Sequence, residues 1–296
     1  MDQAQQLRKF VKEQNRRKHL ARVITVTSGK GGVGKSNISV NLAIQFARLQ
    51  KKVVILDADF GLANIEIMLG IRPKYSLADM MFRGKPLNEV ISQGPENLGF
   101  ISGGSGLKEL TNLDSDQIQS LIRMMYDLDS IADIVIIDTG AGISNSVIDL
   151  VLASSEVLLV TTPEPTSITD AYALLKTLCS REGFDENEIE IKMIANRAHG
   201  YHEGRELFNK LDAVVDKFLH IKMKYLGHIP YDERLQKSVM RQKPVTLAYP
   251  NALSSRAILE LAVLLDNHQS DDGRRNFYDR GISGLLARMF RSSKSG

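Results

Sequence analysis

The chain of 296 residues is 43% hydrophobic and 25% charged, with a net charge of +3 at neutral pH. This composition is typical of a globular protein that can bury one large core. No run of 18 apolar residues is present to span a membrane, and the polar first residues give no secretory signal. The single cysteine, Cys179, excludes an internal disulfide and a cysteine-ligated cluster within one chain. We therefore expect a cytoplasmic protein.

The two ends of the chain are basic. Residues 1–22 carry a net charge of +5 and residues 271–296 a net charge of +3, which leaves −5 on the residues between them. Basic ends favour contacts with anionic or acidic partners, although charged tails also serve simply to keep a chain in solution. Residues 1–22 predict either a disordered tail or an arm with a short helix that Asp2 caps and in which Leu7 lies on the apolar side.

Seven short apolar runs, most of them separated by helical patterns, occupy the middle of the chain. Strands are predicted at 23–27, 53–56, 98–101, 134–137, 157–161, 191–194 and 225–229, and helices at 37–50, 116–128, 145–153, 167–180, 203–218, 233–241 and 254–267. This alternation predicts an α/β fold with a doubly wound, mostly parallel sheet and helices on both faces. Ligands of such sheets bind at the carboxyl ends of the strands.

Residues 29–36 match the phosphate-binding loop G-x-x-x-x-G-K-[ST] between a predicted strand and a predicted helix. In this loop backbone N–H groups surround nucleotide phosphates, Lys35 reaches the β- and γ-phosphates, and the Ser36 hydroxyl binds Mg²⁺. An ordinary loop of this kind does not need Lys30, which by itself could be a solvated residue. The predicted nucleotide-binding residues here are Gly29, Lys30, Gly31, Gly32, Val33, Gly34, Lys35 and Ser36.

Two further carboxylate motifs follow apolar runs. Asp57 and Asp59 end the second strand at positions i and i+2, so both side chains point the same way, although an aspartate-capped turn is also common there. Asp138 follows four apolar residues, which is typical of a Walker B strand whose carboxylate holds Mg²⁺ through water. The glycines after Asp138, Gly142 among them, allow a switch loop to approach the γ-phosphate.

The loop with its additional lysine resembles the deviant Walker A motif of the MinD/ParA family of ATPases, and residues 57–64 match that family's D-x-D-x-G-L-x-N. The resemblance implies slow regulatory hydrolysis of ATP to ADP and phosphate in a homodimer, with Lys30 reaching the partner's phosphates as a catalytic cation. It places Asp57 near Mg²⁺ and makes Asp59 the residue that orients the attacking water. Asn64 and Gly142 would belong to the switch at the dimer interface.

Two later strand ends resemble the base-contacting loops of the same family. The resemblance implies that Asn196 reads the adenine edge, with Arg197 and Pro230 beside it. No Asn-Lys-x-Asp guanine motif is present, so the expected ligands are ATP and Mg²⁺. We accordingly divide the chain into an arm at 1–22, a MinD-like P-loop ATPase domain at 23–269 and a tail at 270–296.

The tail begins with a predicted linker at residues 270–273, and its sequence then predicts a short amphipathic helix at about 282–291. Its length makes the helix marginal in water unless the apolar stripe is buried, either in anionic membrane lipid or on the protein's own core. Resemblance to the tail of MinD favours membrane, so we expect peripheral association with the inner face of the cell membrane, strengthened by dimerisation. The stripe consists of Ile282, Leu285, Leu286, Met289 and Phe290.

The first residues resemble the activator arm of the MinD-type regulators of flagellar number and placement. The matching string D-Q-A-x-x-L-R covers Asp2, Gln3, Leu7 and Arg8. It implies that the arm stimulates FlhF, a GTPase of the signal-recognition-particle type, with Gln3 reaching into its site, and that flagellar switch or C-ring proteins are partners. The alternatives are a MinD-type ATPase that places the division site and, less favoured, a ParA-type ATPase that partitions DNA; we expect no specific nucleic acid.

Overall fold

The structure is a computed structural model that describes residues 20–59, 64–104, 121, 125–271 and 281–292. Residues 1–19, with nearly all of the predicted arm, lie outside the described residues. A single sheet among the described residues contains β1 (Arg22–Thr27), β2 (Val53–Ala58), β3 (Ser92–Gln93), β4 (Gly99–Ile101), β5 (Ile134–Thr139), β6 (Glu156–Thr161), β7 (Glu190–Ala198) and β8 (Met223–Pro230).

Helices cover both faces of this sheet. They are α1 (Lys35–Arg48), α2 (Asn64–Leu69), α3 (Leu77–Arg83), α4 (Leu87–Val90), α5 at 125–131, α6 (Asn145–Ala153), α7 (Pro165–Cys179), α8 (Tyr201–Leu219), α9 (Glu233–Met240), α10 (Val245–Ala248), α11 (Leu253–Asp271) and α12 (Gly281–Ser292), with a 3₁₀ turn at Pro95–Asn97. Since α11 continues to Asp271, Ser270 and Asp271 are helical and do not form the predicted linker.

The strand order is β3-β4-β2-β5-β1-β6-β7-β8, and the strands are parallel except for β3, which pairs antiparallel with β4 at one edge. This confirms the predicted α/β fold, and each of the seven predicted strands is present. The sequence analysis missed β3 because two residues carry no periodicity. It also missed the short helices α2, α3, α4 and α10, which are set by tertiary contacts rather than by a long apolar repeat.

The central position of β1 brings the motif residues together at the carboxyl-terminal ends of the strands. β1 lies between β5 and β6, and in the register of the sheet Val26 is opposite Asp138, which is opposite Asp57 of β2. All three strands run in the same direction, so their carboxyl ends, and the motifs that follow them, meet at one edge.

The tail helix α12 packs on the protein's own body, against α6 and β1. Ile282 and Leu285 are fully buried, and Leu286 and Met289 are at most 6% exposed. Four residues of the stripe predicted to face lipid are therefore covered by protein in this conformation, which is the second of the two ways of burying the stripe that the sequence allows. The Phe290 side chain lies outside the described residues. None of the helices in the described part of the chain combines the length and the apolar character needed to cross a membrane.

A buried carboxylate fixes the start of α12. Asp129 accepts hydrogen bonds from the backbone N–H groups of Ile282 (2.7 Å) and Ser283 (3.2 Å) and from the Ser283 hydroxyl. Gly281 has a left-handed backbone at φ +58°, and a Cβ there would lie 2.4 Å from Asp129 Oδ2. Near the other end of the helix Arg288 donates to the carbonyl of Ala153. The docking is thus fixed by polar contacts as well as by apolar burial.

A buried ion cluster joins the neighbouring strands β1, β6 and β7 near their amino-terminal ends, away from the phosphate loop. Glu156, fully buried, accepts two hydrogen bonds of 2.7 Å from the Arg22 guanidinium and one of 2.7 Å from Lys192 Nζ. Burial alone would raise the pKa of Glu156, but the two cations outweigh it and hold the pKa below its ordinary value. The ionised pair therefore stabilises the fold above the unfolded-state pKa of Glu156, and that contribution is lost as the pH falls through the folded-state pKa.

Glu156→Gln should lower the free energy of unfolding by about 3–5 kcal/mol at neutral pH, because the buried Arg22 and Lys192 would lose the carboxylate that they share, and only Lys192 keeps a second ion pair, with Glu190 at 2.9 Å. Urea denaturation measures the change. The matched control is Glu206→Gln, which removes the same charge from an exposed pair with Lys210 and should leave the unfolding midpoint unchanged. Equal effects of the two substitutions would contradict the role assigned to the cluster.

Candidate nucleotide-binding site

The loop between β1 and α1 has the backbone geometry of a phosphate cradle. Gly32 and Gly34 adopt left-handed conformations at φ +75° and +99°, and a Cβ on Gly34 would lie 2.5 Å from Asn196 Nδ2. α1 begins directly afterwards at Lys35. Its first N–H groups and positive dipole end point toward the loop, which is the arrangement that binds phosphate at helix N-termini.

The predicted base-contacting residues lie against this loop. Asn196 Nδ2 donates to the Val33 carbonyl at 2.6 Å, and Arg197 Nη2 donates to the Gly32 carbonyl at 2.8 Å. Together with Gly34 and Pro230 they line one small pocket beside the loop. The structure brings these residues to one place beside the loop, and two of them also hold the loop in shape.

Lys35 is buried next to the carboxylates. It is 8% exposed, and its Nζ donates to Ser28 Oγ at 3.1 Å. Burial lowers the pKa of Lys35, while Asp138 and Asp59 counteract this by raising it. Ser28 also accepts, through its backbone carbonyl, a 3.0 Å hydrogen bond from the N–H of Gly142. The P-loop and the loop after β5 are therefore directly connected.

Two buried carboxyl groups lie side by side on β2 and β5. Burial raises the pKa of Asp57 to about 8 and that of Asp138 to about 6, and the neighbouring hydroxyls of Ser36 and Ser39 lower the latter again. Ser39 Oγ donates to Asp138 Oδ1 at 2.8 Å. Within the described residues, Asp138 Oδ2 is a buried oxygen without a hydrogen-bond partner.

These residues fit a magnesium ion held partly through water. A buried carboxylate oxygen that lacks a partner is costly unless a cation or water satisfies it. Mg²⁺ keeps several water ligands and takes one or two protein oxygens, and Asp138, Ser36 and Asp57 offer oxygens of the required kind. Asp59 lies at the same edge, since its N–H donates to Asp57 Oδ1 at 3.0 Å. The side chain of Asn64 lies outside the described residues, although α2 begins at this position.

Lys30 makes its contacts outside the phosphate cradle. Its Nζ donates to Glu164 Oε2 at 2.8 Å and to Thr166 Oγ1 at 2.6 Å, and its side chain is 33% exposed. The two lysines of the loop thus occupy different environments, one buried among carboxylates and one at the surface.

Four residues that touch the site were missed by the sequence analysis. Ser28 and Ser39 contact Lys35 and Asp138, and Glu164 and Thr166 contact Lys30. A signal for Glu164 was present, because it follows the carboxyl end of a predicted strand, where polar residues meet the ligand. Ser39 lies one helical turn after Lys35 on the same face of α1, which spacing alone could have indicated.

Comparison with known proteins agrees with this geometry. The family described as ParA, NUBPL iron-transfer P-loop NTPase, matches residues 19–265. The chain is similar to the antiactivator FleN of Pseudomonas aeruginosa, with 43% identity over 249 residues that cover 84% of this chain and 88% of FleN. It is also similar to the flagellum site-determining protein YlxH of Helicobacter pylori, with 32% identity over 269 residues, or 90% of this chain and 89% of YlxH.

Among solved structures, the septum site-determining protein MinD of Pyrococcus horikoshii, complexed with Mg-ADP, superposes with a TM-score of 0.65. The identity is 23%, and the match covers 85% of this chain and 98% of that one. At this identity the likeness establishes the fold alone.

Asp57→Asn should stabilise the chain at pH 8 in the absence of nucleotide and Mg²⁺. The folded protein holds a proton on Asp57 up to a pKa of about 8, whereas the unfolded chain releases it near 3.8. Stability contributed by this group therefore falls as the pH rises between these values. We expect a gain of about 2–5 kcal/mol at pH 8 and none at pH 4, measured by urea denaturation with EDTA. A variant less stable than the wild type at pH 8 would contradict the assignment.

Proposed function

The chain belongs to the MinD/ParA family of P-loop ATPases, in the group of flagellar number regulators that includes FleN and FlhG (YlxH), and we propose that it is an ATP-driven dimerising switch. The observation that carries the proposal is that the two lysines of one loop lie in different environments. Lys35 lies buried beside Asp138 and can serve the chain's own nucleotide. Lys30 lies at the surface and can serve the nucleotide of a second copy.

The chain's own residues would hold ATP and position the reaction. Backbone N–H groups of the loop and Lys35 bind the phosphates, and Asn196, Arg197 and Pro230 border the base. Ser36, Asp138 and Asp57 hold Mg²⁺, directly or through water; the ion neutralises phosphate charge when it is bound. Asp59 orients the attacking water, and Lys30 of a second copy stabilises the transferred phosphoryl group. Hydrolysis then returns the monomer.

The docked tail becomes part of the same switch in this proposal. α12 packs on α6, and α6 begins at Asn145, directly after the loop whose Gly142 N–H donates to the P-loop at Ser28. Movement of that loop toward a γ-phosphate can therefore reach the surface on which the tail is docked. Release of the tail in the ATP dimer would present two apolar stripes to anionic lipid at the inner face of the cell membrane.

The arm at 1–22 supplies the second activity of the proposal. It lies almost entirely outside the described residues, so the support is its D-Q-A-x-x-L-R string and the similarity of the chain to flagellar regulators. We infer that the arm stimulates the GTPase FlhF, with Gln3 in its active site. Flagellar switch or C-ring proteins would be further partners of the membrane-bound dimer, which thereby regulates flagellar number and placement.

With ATP and Mg²⁺ the wild type should dimerise and pellet with anionic liposomes, as measured by sedimentation. Lys35→Gln should abolish both effects because the buried cation for the phosphates is lost. Asp59→Ala should keep the dimer on liposomes and stop phosphate release, because only the positioning of water is removed. A monomeric, unpelleted Asp59→Ala variant with ATP, or normal turnover by Lys35→Gln, would contradict the mechanism.

The same liposome experiment also tests whether docking of the tail limits membrane binding. Gly281→Ala places a Cβ against Asp129 and should loosen docking, so that pelleting without ATP increases. Gly84→Ala is the matched control, because Gly84 caps α3 at a similar φ of +64° with nothing within 4 Å of an added Cβ. An ATP requirement that is the same in both variants would show that tail docking does not limit membrane binding.

A peptide of residues 1–22 should accelerate GTP hydrolysis by purified FlhF, and Gln3→Ala in the peptide should abolish the effect. Phosphate release measures it. Loss of stimulation in the variant assigns the arm and the flagellar role. If the wild-type peptide has no effect, the arm is not an activator, and a MinD-type role at the division site becomes the better account of the same ATPase.

A further inference from the structure

The helix α11 is apolar on both of its sides. Its inner side packs on α1 and β8 and adds four residues to the core, namely Ile258, Leu261, Ala262 and Leu265. Its outer side carries four large apolar residues that are between 37% and 61% exposed, namely Leu253, Leu259, Val263 and Leu264. A surface helix ordinarily has a polar outer side, and a helix that is apolar all round is normally buried. Within the described part of the chain no element covers this outer side.

The four outer residues, which we call the α11 stripe, are aligned along the helix. Leu259 and Val263 are four residues apart, so one lies above the other. Leu253 and Leu264 are eleven residues apart, which is about three turns, and they form a second row. The stripe is therefore about 16 Å long at about 1.5 Å per residue. Single exposed apolar residues are common on protein surfaces, whereas several together mark a place of contact.

The N-terminal arm leaves the body beside this helix. Arg22, which is 2% exposed, donates from Nη1 to the carbonyl of Leu265 at 2.7 Å, and Leu265 directly follows the last residue of the stripe. Residues 1–19 precede Leu20, the first described residue. The ten residues between Phe10 and Leu20 can span about 33 Å, which is longer than the stripe. The arm can therefore reach every residue of the stripe from the point where it is anchored.

The chemistry of the arm also fits the stripe. The sequence places Leu7, Phe10 and Val11 on one side of a short predicted helix, and residues 1–19 contain six basic and two acidic residues. Residues 253–271 contain one arginine and three carboxylates, so the two segments carry opposite net charge. An amphipathic helix binds an apolar surface through its apolar side. Because the arm is tethered, its effective concentration at the stripe is in the millimolar range, and a weak contact suffices.

We propose that the α11 stripe is a docking surface for the chain's own arm, which binds there through Leu7, Phe10 and Val11. The inference deepens the proposed function and rests on it, since Leu7 also belongs to the D-Q-A-x-x-L-R string assigned to FlhF. One side chain cannot contact both surfaces, so docking lowers the fraction of the arm that FlhF can bind. Binding of FlhF in turn uncovers the stripe.

Trypsin cleavage at the basic residues of the arm measures docking in the full-length chain. The cleavage rate of a peptide of residues 1–22, divided by the rate in the chain, gives the protection, because slow proteolysis follows the population of the released arm. Leu259→Gln combined with Val263→Gln should lower the protection by about 3- to 10-fold, since apolar contact is lost. The matched control is Val214→Gln combined with Phe218→Gln, which removes two exposed apolar side chains from α8 on the other face of the sheet and should leave the protection unchanged.

A substitution in the arm identifies what occupies the stripe. Phe10→Gln, compared with a peptide that carries the same change, should lower the protection, and combining it with the stripe variant should add nothing further, because both remove one contact. Equal protection in the stripe and control variants, or effects that add up, overturns the inference. A stripe variant that self-associates more weakly, with unchanged protection of the arm, shows that the stripe joins two copies of the chain, and the inference is then wrong.

Stimulation of FlhF separates this inference from the proposed function. The full-length stripe variant should accelerate GTP hydrolysis by FlhF at a concentration about 3- to 10-fold lower than the wild type requires, because more of the arm is released. If neither chain stimulates FlhF while the protection results hold, the proposed role of the arm fails and the docking surface stands. If both chains stimulate FlhF at the same concentration, docking does not compete with FlhF, and the inference is overturned while the proposed function stands.

Discussion

The parallel pairing of β1 with β5 and β6 is the constraint on which the site depends. Because β1 is central and its neighbours run in the same direction, the phosphate loop and the carboxylates after β2 and β5 reach one edge without any further device. A shift of one residue in this register would turn Asp138 to the opposite face of the sheet. The apolar strands, buried on both faces, prevent that shift, so the packing of the core fixes the positions of the site residues at the ends of the strands.

Three ionisable groups of the site are buried in a way that disfavours their charged forms, and a ligand of complementary charge would stabilise them. Asp57 and Asp138 are buried side by side with raised pKa values, and Lys35 is buried with a lowered one. Burial penalises the charged form of all three groups, so each is poorly solvated in the absence of a ligand. The Mg²⁺ ion and the nucleotide phosphates of the proposed function carry the complementary charges. The ion cluster around Glu156, near the amino-terminal ends of β1, β6 and β7, shows the contrasting arrangement, in which buried charges are already neutralised within the protein.

Periodicity and motif spacing predicted the strands, most of the long helices and the residues that meet at the candidate nucleotide-binding site, because each of these is a local pattern with a physical meaning. They did not predict which surface would cover Ile282, Leu285 and Leu286. An amphipathic stripe states only that one side of a helix needs burial. The partner was decided by Asp129 and by the surface of α6, which lie more than a hundred residues away in the chain. The contact of Lys30 with Glu164 was missed for the same reason, since it joins residues far apart in sequence.

The burial of α12 also bears on how genetic deletions of the tail are interpreted. Apolar side chains of the size of Ile282 and Leu285 contribute about 1.5–3 kcal/mol each when they are buried. A truncation before Gly281 removes these together with Leu286 and Met289, uncovers apolar surface on β1 and α6, and leaves the buried Asp129 without its hydrogen bonds from α12. A cell carrying such an allele therefore loses folded protein, so a phenotype of the truncation does not by itself report on a targeting role of the tail.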